Sequence, residues 1–174
     1  MLRRVISLGL LGSLGLLAAL PAVASELQIS VEIPRLKVAE YHRPYVALWI
    51  EQDAKVVTNL AVWYDIGMEE NKGQEWLKDM RQWWRRTGRE LQMPVDGVSG
   101  ATRAPGTHTV TFSSAAGALT ELAPGNYQLM VEAAREVGGR ELLKVPFQWP
   151  PKSAQTLNAQ GETELGSLNV TLVP

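Results

Sequence analysis

The chain has 174 residues, 45% of them hydrophobic and 20% charged, with a formal net charge of −1. That length suits one domain and not comfortably two, and the near-neutral balance supplies no basic face for nucleic acid. With no cysteine and only His42 and His108 as nitrogen ligands, thiolate chemistry and iron–sulfur ligation of the usual type are excluded, and a structural zinc site has too few ligands.

Arg3 and Arg4 give a positive start, Val5 to Leu20 is a Leu/Ala/Gly-rich apolar run, and Ala22-Val23-Ala24 fits the small-x-small pattern read by signal peptidase. Residues 1–24 are therefore expected to be a signal peptide and 25–174 one exported domain. The apolar run is short for a retained anchor, so the mature chain is not expected to span a membrane.

Most of the mature chain reads as short strands. Leu27, Ile29, Val31 and Ile33 alternate with polar residues and share one face. Tyr45 to Glu51 and Val56 to Tyr64, rich in Val, Trp, Tyr and Ile, flank the polar break Gln52-Asp53-Ala54-Lys55 and predict a hairpin. Further strands are expected at Thr107 to Phe112, Tyr127 to Ala134, Arg140 to Trp149 and Leu165 to Leu172, separated by turn signals such as Pro124-Gly125-Asn126 and Val137-Gly138-Gly139. The pattern predicts a mainly β fold: an immunoglobulin-like antiparallel β-sandwich. Pro-Gly-Asn-Tyr-Gln-Leu resembles the G-x-Y-x-L start of a late strand in such domains, which implies that the Tyr127 hydroxyl bonds back to the main chain at a corner.

One amphipathic helix, about residues 74–87, is expected to interrupt the strands and lie against a sheet or over its end. Trp76, Leu77, Met80, Trp83 and Trp84 make one apolar stripe at helical spacing. Asn71 with Gln74 suits a capped start, and Arg85, Arg86 and Gly88 suit a finish. The acidic Asp65, Glu69 and Glu70 read as charge at the helix start, not as a calcium loop. Residues 88–106 lack periodicity, and a long irregular stretch in a compact domain is more often functional than idle.

Within that stretch lies Asp96-Gly97-Val98-Ser99-Gly100-Ala101-Thr102. Two glycines, a small alanine and a hydroxyl make a mobile, accessible acceptor, with Asp96 and Ser99 able to hold the turn through backbone amides. The segment resembles the D-x-x-S-G-A-T signature on which certain exported redox proteins carry FMN through its phosphate. The resemblance implies that Thr102 is the attachment point, that Asp96, Ser99, Gly100 and Ala101 shape the acceptor, and that an FAD-dependent flavin transferase loads it. An arginine, Arg103 foremost among Arg81, Arg85, Arg86, Arg89 and Arg103, would pair with the phosphate. One tryptophan of the helix, Trp84 foremost among Trp76, Trp83 and Trp84, would stack on the ring. An aromatic stripe at helical spacing is ordinarily core, and helix arginines are ordinarily a solvated face.

Several segments in order also resemble a family of predicted periplasmic proteins, domain of unknown function 2271. They are Tyr45-Val46-Ala47-Leu48-Trp49-Ile50-Glu51, Val62-Trp63-Tyr64, Trp76-Leu77-x-x-Met80-Arg81-x-Trp83-Trp84, Ser99-Gly100-Ala101-Thr102-Arg103-x-Pro105-Gly106, and Tyr127 through Arg135-Glu136-x-Gly138-Gly139. That likeness implies a periplasmic, immunoglobulin-like domain in the company of flavin transferases and PepSY-type membrane electron-transfer proteins. The expectation is an electron carrier with covalent FMN and not a stand-alone catalyst. A cofactor-free module docking on a membrane redox partner is the alternative, and a sandwich that binds carbohydrate through exposed aromatics a third.

Overall fold

The computed structural model describes residues 24–174, so the signal-peptide expectation for the residues before Ala24 lies outside the described part. Nine strands form two sheets: β1 (Glu26–Ile33), β2 (Tyr45–Gln52), β3 (Lys55–Tyr64), β4 (Ser99–Ala101), β5 (Gly106–Ser113), β6 (Gly125–Ala134), β7 (Arg140–Trp149), β8 (Gln155–Gln160) and β9 (Ser167–Val173). The four-stranded sheet has the order β5-β1-β9-β8 and the five-stranded sheet the order β4-β3-β2-β6-β7. All pairs are antiparallel except β3–β4, which is parallel. The result is a mainly β sandwich, as the strand spacing predicts.

The period-2 pattern explains which residues meet between the sheets. Leu27, Ile29, Val31 and Ile33 of β1 face Val46, Leu48 and Ile50 of β2 and Leu129, Val131 and Ala133 of β6 across one core. Tyr127 packs into it, and its hydroxyl donates to the Ala123 carbonyl at 2.7 Å, the expected corner bond. β2 is buried along nearly its whole length, because the five-stranded sheet is covered on both faces. Its outer face carries Tyr45, Ala47, Trp49, Val62, Tyr64, Met130 and Ala134, which form a second core with Leu77, Met80 and Trp83 of the chain inserted between β3 and β4.

That insertion is not the single helix expected over about 74–87. It is a 3₁₀ segment, Glu69–Asp79, broken by left-handed Glu70 and Asn71, followed by a short α-helix, α1 (Arg81–Arg86). Met80 separates the two, with φ −76° and ψ 73°. The break has a physical cause in the sheet. The buried carboxylate of Glu132 on β6 accepts the backbone N–H of Gln82 at 3.0 Å and of Trp83 at 2.7 Å, so a fresh helix starts there. Asn71, at φ 58°, is a turn residue and not the predicted cap. Gly88 serves packing: a Cβ there would stand 2.5 Å from the Trp83 ring. The apolar stripe itself holds, with Leu77, Met80 and Trp83 buried and Trp76 and Trp84 half-buried.

The segment 88–106 is likewise less irregular than expected. A 3₁₀ turn, Gly88–Glu90, follows α1, Leu91, Met93 and Val98 pack on the second core, and β4 extends the edge of the sheet.

Candidate functional site

The acceptor-like segment forms a turn followed by a strand. Ser99 N–H and Val98 N–H both donate to the Val95 carbonyl, and the Ser99 hydroxyl accepts the Val95 N–H at 2.8 Å. Ser99 therefore holds the turn as expected. Asp96 is exposed at its crown, and Gly97 has φ +69°, which glycine adopts without strain. Gly100 differs from expectation. It lies in β4 opposite Trp63, where a Cβ would come within 3.4 Å of the indole, and its φ is not left-handed. A Cβ there would make only ordinary contact with the indole, so neither a left-handed backbone nor crowding calls for glycine at this position.

β4 pairs in parallel with β3 through Val62↔Ser99, Trp63↔Gly100 and Tyr64↔Ala101. The pairing continues one step further, because Thr102 N–H donates to the Tyr64 carbonyl at 3.1 Å. The register thus carries Thr102 next to Asp65, and the Thr102 hydroxyl donates to Asp65 Oδ1 at 3.2 Å. Both residues line a cleft of about 440 Å³, with Thr102 half-buried and Asp65 exposed.

The rest of that cleft comes from three places. Tyr41, His42, Arg43 and Tyr45 lead into and begin β2. Met68, Trp76 and Asp79 come from the inserted chain, and Ala134, Arg135 and Glu136 from the end of β6. Tyr45 forms an edge contact with Tyr64 at 6.2 Å, and its hydroxyl donates to the Gly73 carbonyl at 2.9 Å. Burial pushes that hydroxyl up to about 12, so it remains a donor at neutral pH. A Cβ on Gly73 would collide with the Asp65 carbonyl, so glycine lets the insertion press directly on the strand end that presents Asp65.

Electrostatically the cleft is mixed. His42 bridges Glu40 at 3.1 Å and Glu136 at 3.4 Å. Arg135 has a side chain only 6% exposed and forks onto Glu164 through Nε and Nη2 at 2.8 and 3.2 Å. Glu164 also accepts the Gly139 N–H at 2.7 Å. The Arg-Glu-x-Gly-Gly turn is built around that guanidinium, since a Cβ on Gly138 would sit 2.5 Å from its Cζ. Arg135 Nη1 and the Tyr41 hydroxyl are buried without a protein partner, and burial raises the Tyr41 hydroxyl above its ordinary pKa. Among the described residues there is no cluster of three potential metal ligands.

Of the predicted site residues, Thr102 and, among the helix tryptophans, Trp76 line this cleft. Ser99, Gly100 and Arg103 line a shallower groove on the other side of β4, where the Arg103 guanidinium lies 5.1 Å from the Trp63 ring centre. Ala101 is exposed on β4. Trp84 packs beside Trp83 at 6.3 Å on the second core, away from the cleft lining, whereas Trp76 contributes to it. Arg85 is tied to Arg81 and Gln82, and Arg86 donates to the Ala54 carbonyl at 2.7 Å. His108 contacts the Ala104 carbonyl at 2.7 Å. Sequence reasoning missed Tyr41, His42, Arg43 and Arg135, and gave Asp65 only a role at the start of the helix. The parallel register that joins residues 65 and 102 leaves no periodic trace in the sequence.

Among known proteins, no curated protein and no solved structure matches the chain. The family described as predicted periplasmic protein (DUF2271) matches residues 26–167, from the first strand to the start of the last. The chain belongs to this family of predicted periplasmic proteins.

Proposed function

We propose that this protein is an exported electron carrier with FMN esterified through its phosphate to the Thr102 hydroxyl, loaded by an FAD-dependent flavin transferase. The observation that carries the reading is that hydroxyl. It belongs to a half-buried residue on a cleft wall and is held at 3.2 Å from an exposed carboxylate. The cleft's volume of about 440 Å³ falls in the range of about 300–1,000 Å³ usual for small-molecule sites. Its walls fit a flat heterocycle: Trp76, Tyr45 and Met68 offer aromatic and apolar surface, and Arg43 adds a cation. When bound, FMN supplies one- and two-electron redox chemistry. The chain's part is to fix the attachment oxygen on a sheet edge and to present a partly apolar cleft beside it.

Beside Thr102, Trp76 and Arg43 take the places of Trp84 and Arg103 as the residues expected at the cofactor. Export to the periplasm by residues 1–24 and exchange of electrons with a PepSY-type membrane protein complete the proposal. Met68, an exposed large hydrophobic that lines the cleft, and the nearby exposed Ile66 offer a contact surface for that partner.

Co-expression with a flavin transferase is expected to give a yellow protein heavier by one FMN moiety in intact mass. Thr102→Ala is expected to stay colourless and unmodified while folding normally. An unmodified wild type beside a positive-control acceptor overturns the proposal. The competing reading, a cofactor-free docking module, gains ground if membranes retain Thr102→Ala as well as wild type.

A further inference from the structure

We infer that Asp65 is the general base for modification of Thr102, so that the acceptor protein itself brings the proton-accepting group to the reaction. The inference rests on the flavin-acceptor reading and adds a residue that lies outside the Asp96 to Thr102 segment.

The geometry is enforced and not incidental. β3 and β4 run parallel with Tyr64 opposite Ala101, and the Thr102 N–H continues the ladder onto the Tyr64 carbonyl at 3.1 Å. The next residues, Asp65 and Thr102, are thereby side by side, and the hydroxyl donates to Oδ1 at 3.2 Å. Gly73 pressed against the Asp65 carbonyl, and the Tyr45 bond to the Gly73 carbonyl, hold that strand end in place. A nucleophile and a base within hydrogen-bond reach, here with the main chain of the base held by packing, is the arrangement that suits hydroxyl attack. Lying on the rim and exposed, Asp65 remains open to an incoming transferase.

The reaction balances without further reagents. Thr102 Oγ1 attacks the phosphorus of the FMN half of FAD, and a new O–P bond forms. The bond from that phosphorus to the oxygen bridging the two phosphates breaks, and AMP leaves with that oxygen. The hydroxyl proton passes to Asp65 and then to solvent. No electrons change hands. The chain's contribution is the same as that of an aspartate that accepts a substrate hydroxyl proton in other phosphoryl transfers.

The test is the initial rate of FMN incorporation into purified, unmodified full-length protein by a flavin transferase with FAD, followed by intact mass. Asp65→Asn keeps an oxygen to accept the hydrogen bond but removes the base. Its maximal rate is expected to fall about a hundredfold, in the range that general bases contribute, with the KM for the acceptor protein within about twofold of wild type. Asp65→Glu is expected to recover part of the rate. Circular dichroism and melting temperature close to wild type separate chemistry from misfolding. Wild-type incorporation with an unchanged Asp65→Asn rate overturns the base and leaves the acceptor reading standing. A rise in KM alone reduces Asp65 to a docking contact and also overturns it. No incorporation into wild type removes both.

Discussion

Glu132 has no solvent-exposed surface, yet its carboxylate oxygens are occupied. One accepts the Gln82 N–H and an Arg140 Nη1 bond at 2.8 Å, and the other accepts the Trp83 N–H. A buried charge is tolerated when it is paired and hydrogen-bonded in this way. Glu132→Ala strips α1 of its anchor and leaves two amides and a guanidinium short of an acceptor. The expected cost is about 3 kcal/mol, read as a lower midpoint in urea unfolding, with α1 losing amide protection first. Sequence alone marks Glu132 only as an odd acid in an apolar strand. Its partners on α1 lie about fifty residues away, so the reason for the acid is tertiary. The same holds for Thr102. Its hydroxyl is legible from local composition, but the residue it touches is not.

At the scale of elements, the strands are readable because alternation and turn residues are local physical signals. The two strands that escape such a reading have weak signals. β4 is three residues long, and β8, Gln155–Gln160, is polar and largely exposed. The inserted segment is readable as an amphipathic stripe but not as a broken one, because the break is imposed by Glu132 and not by a proline or glycine within it. Gly88 shows how closely α1 is seated. Gly88→Ala drives a methyl into the Trp83 ring and cannot be relieved by a flexible neighbour. It is expected to destabilise by about 1–3 kcal/mol, as overpacking does. Near-ultraviolet circular dichroism should change with it, because Trp83 also bonds Asn59 Oδ1 at 2.9 Å.

At the scale of the whole molecule, carboxylates tie the sheets together at one end. Glu141 of β7 accepts backbone N–H groups from Glu162, Thr163, Glu164 and Leu165, just before β9 in the other sheet. Burial alone would raise its pKa, but the four backbone donors outweigh burial and hold it below the usual carboxylate range. Glu32 is lowered in the same direction by the backbone and hydroxyl of Ser167. Folding therefore favours the ionised forms. Their contribution is complete above the unfolded-state pKa and is lost as pH falls through the lower folded-state value. Urea midpoints measured across acidic pH are expected to decline through that window. Glu141→Gln is expected to be less stable than wild type at neutral pH and to show a flatter decline. An unchanged slope would mean that other groups carry the acid response.

The parallel seam between β3 and β4 has a consequence for traffic in and out of the cleft. The attachment oxygen of a prosthetic group bonded to residue 102 is held on a rigid frame, so the group's reach is set by its own linker and not by movement of the chain. On the flavin reading, donor and acceptor must both come within that linker's reach of the same mouth. Electron relay through this protein then depends on how fast partners exchange at one landing point, and blocking that face should silence delivery and uptake together.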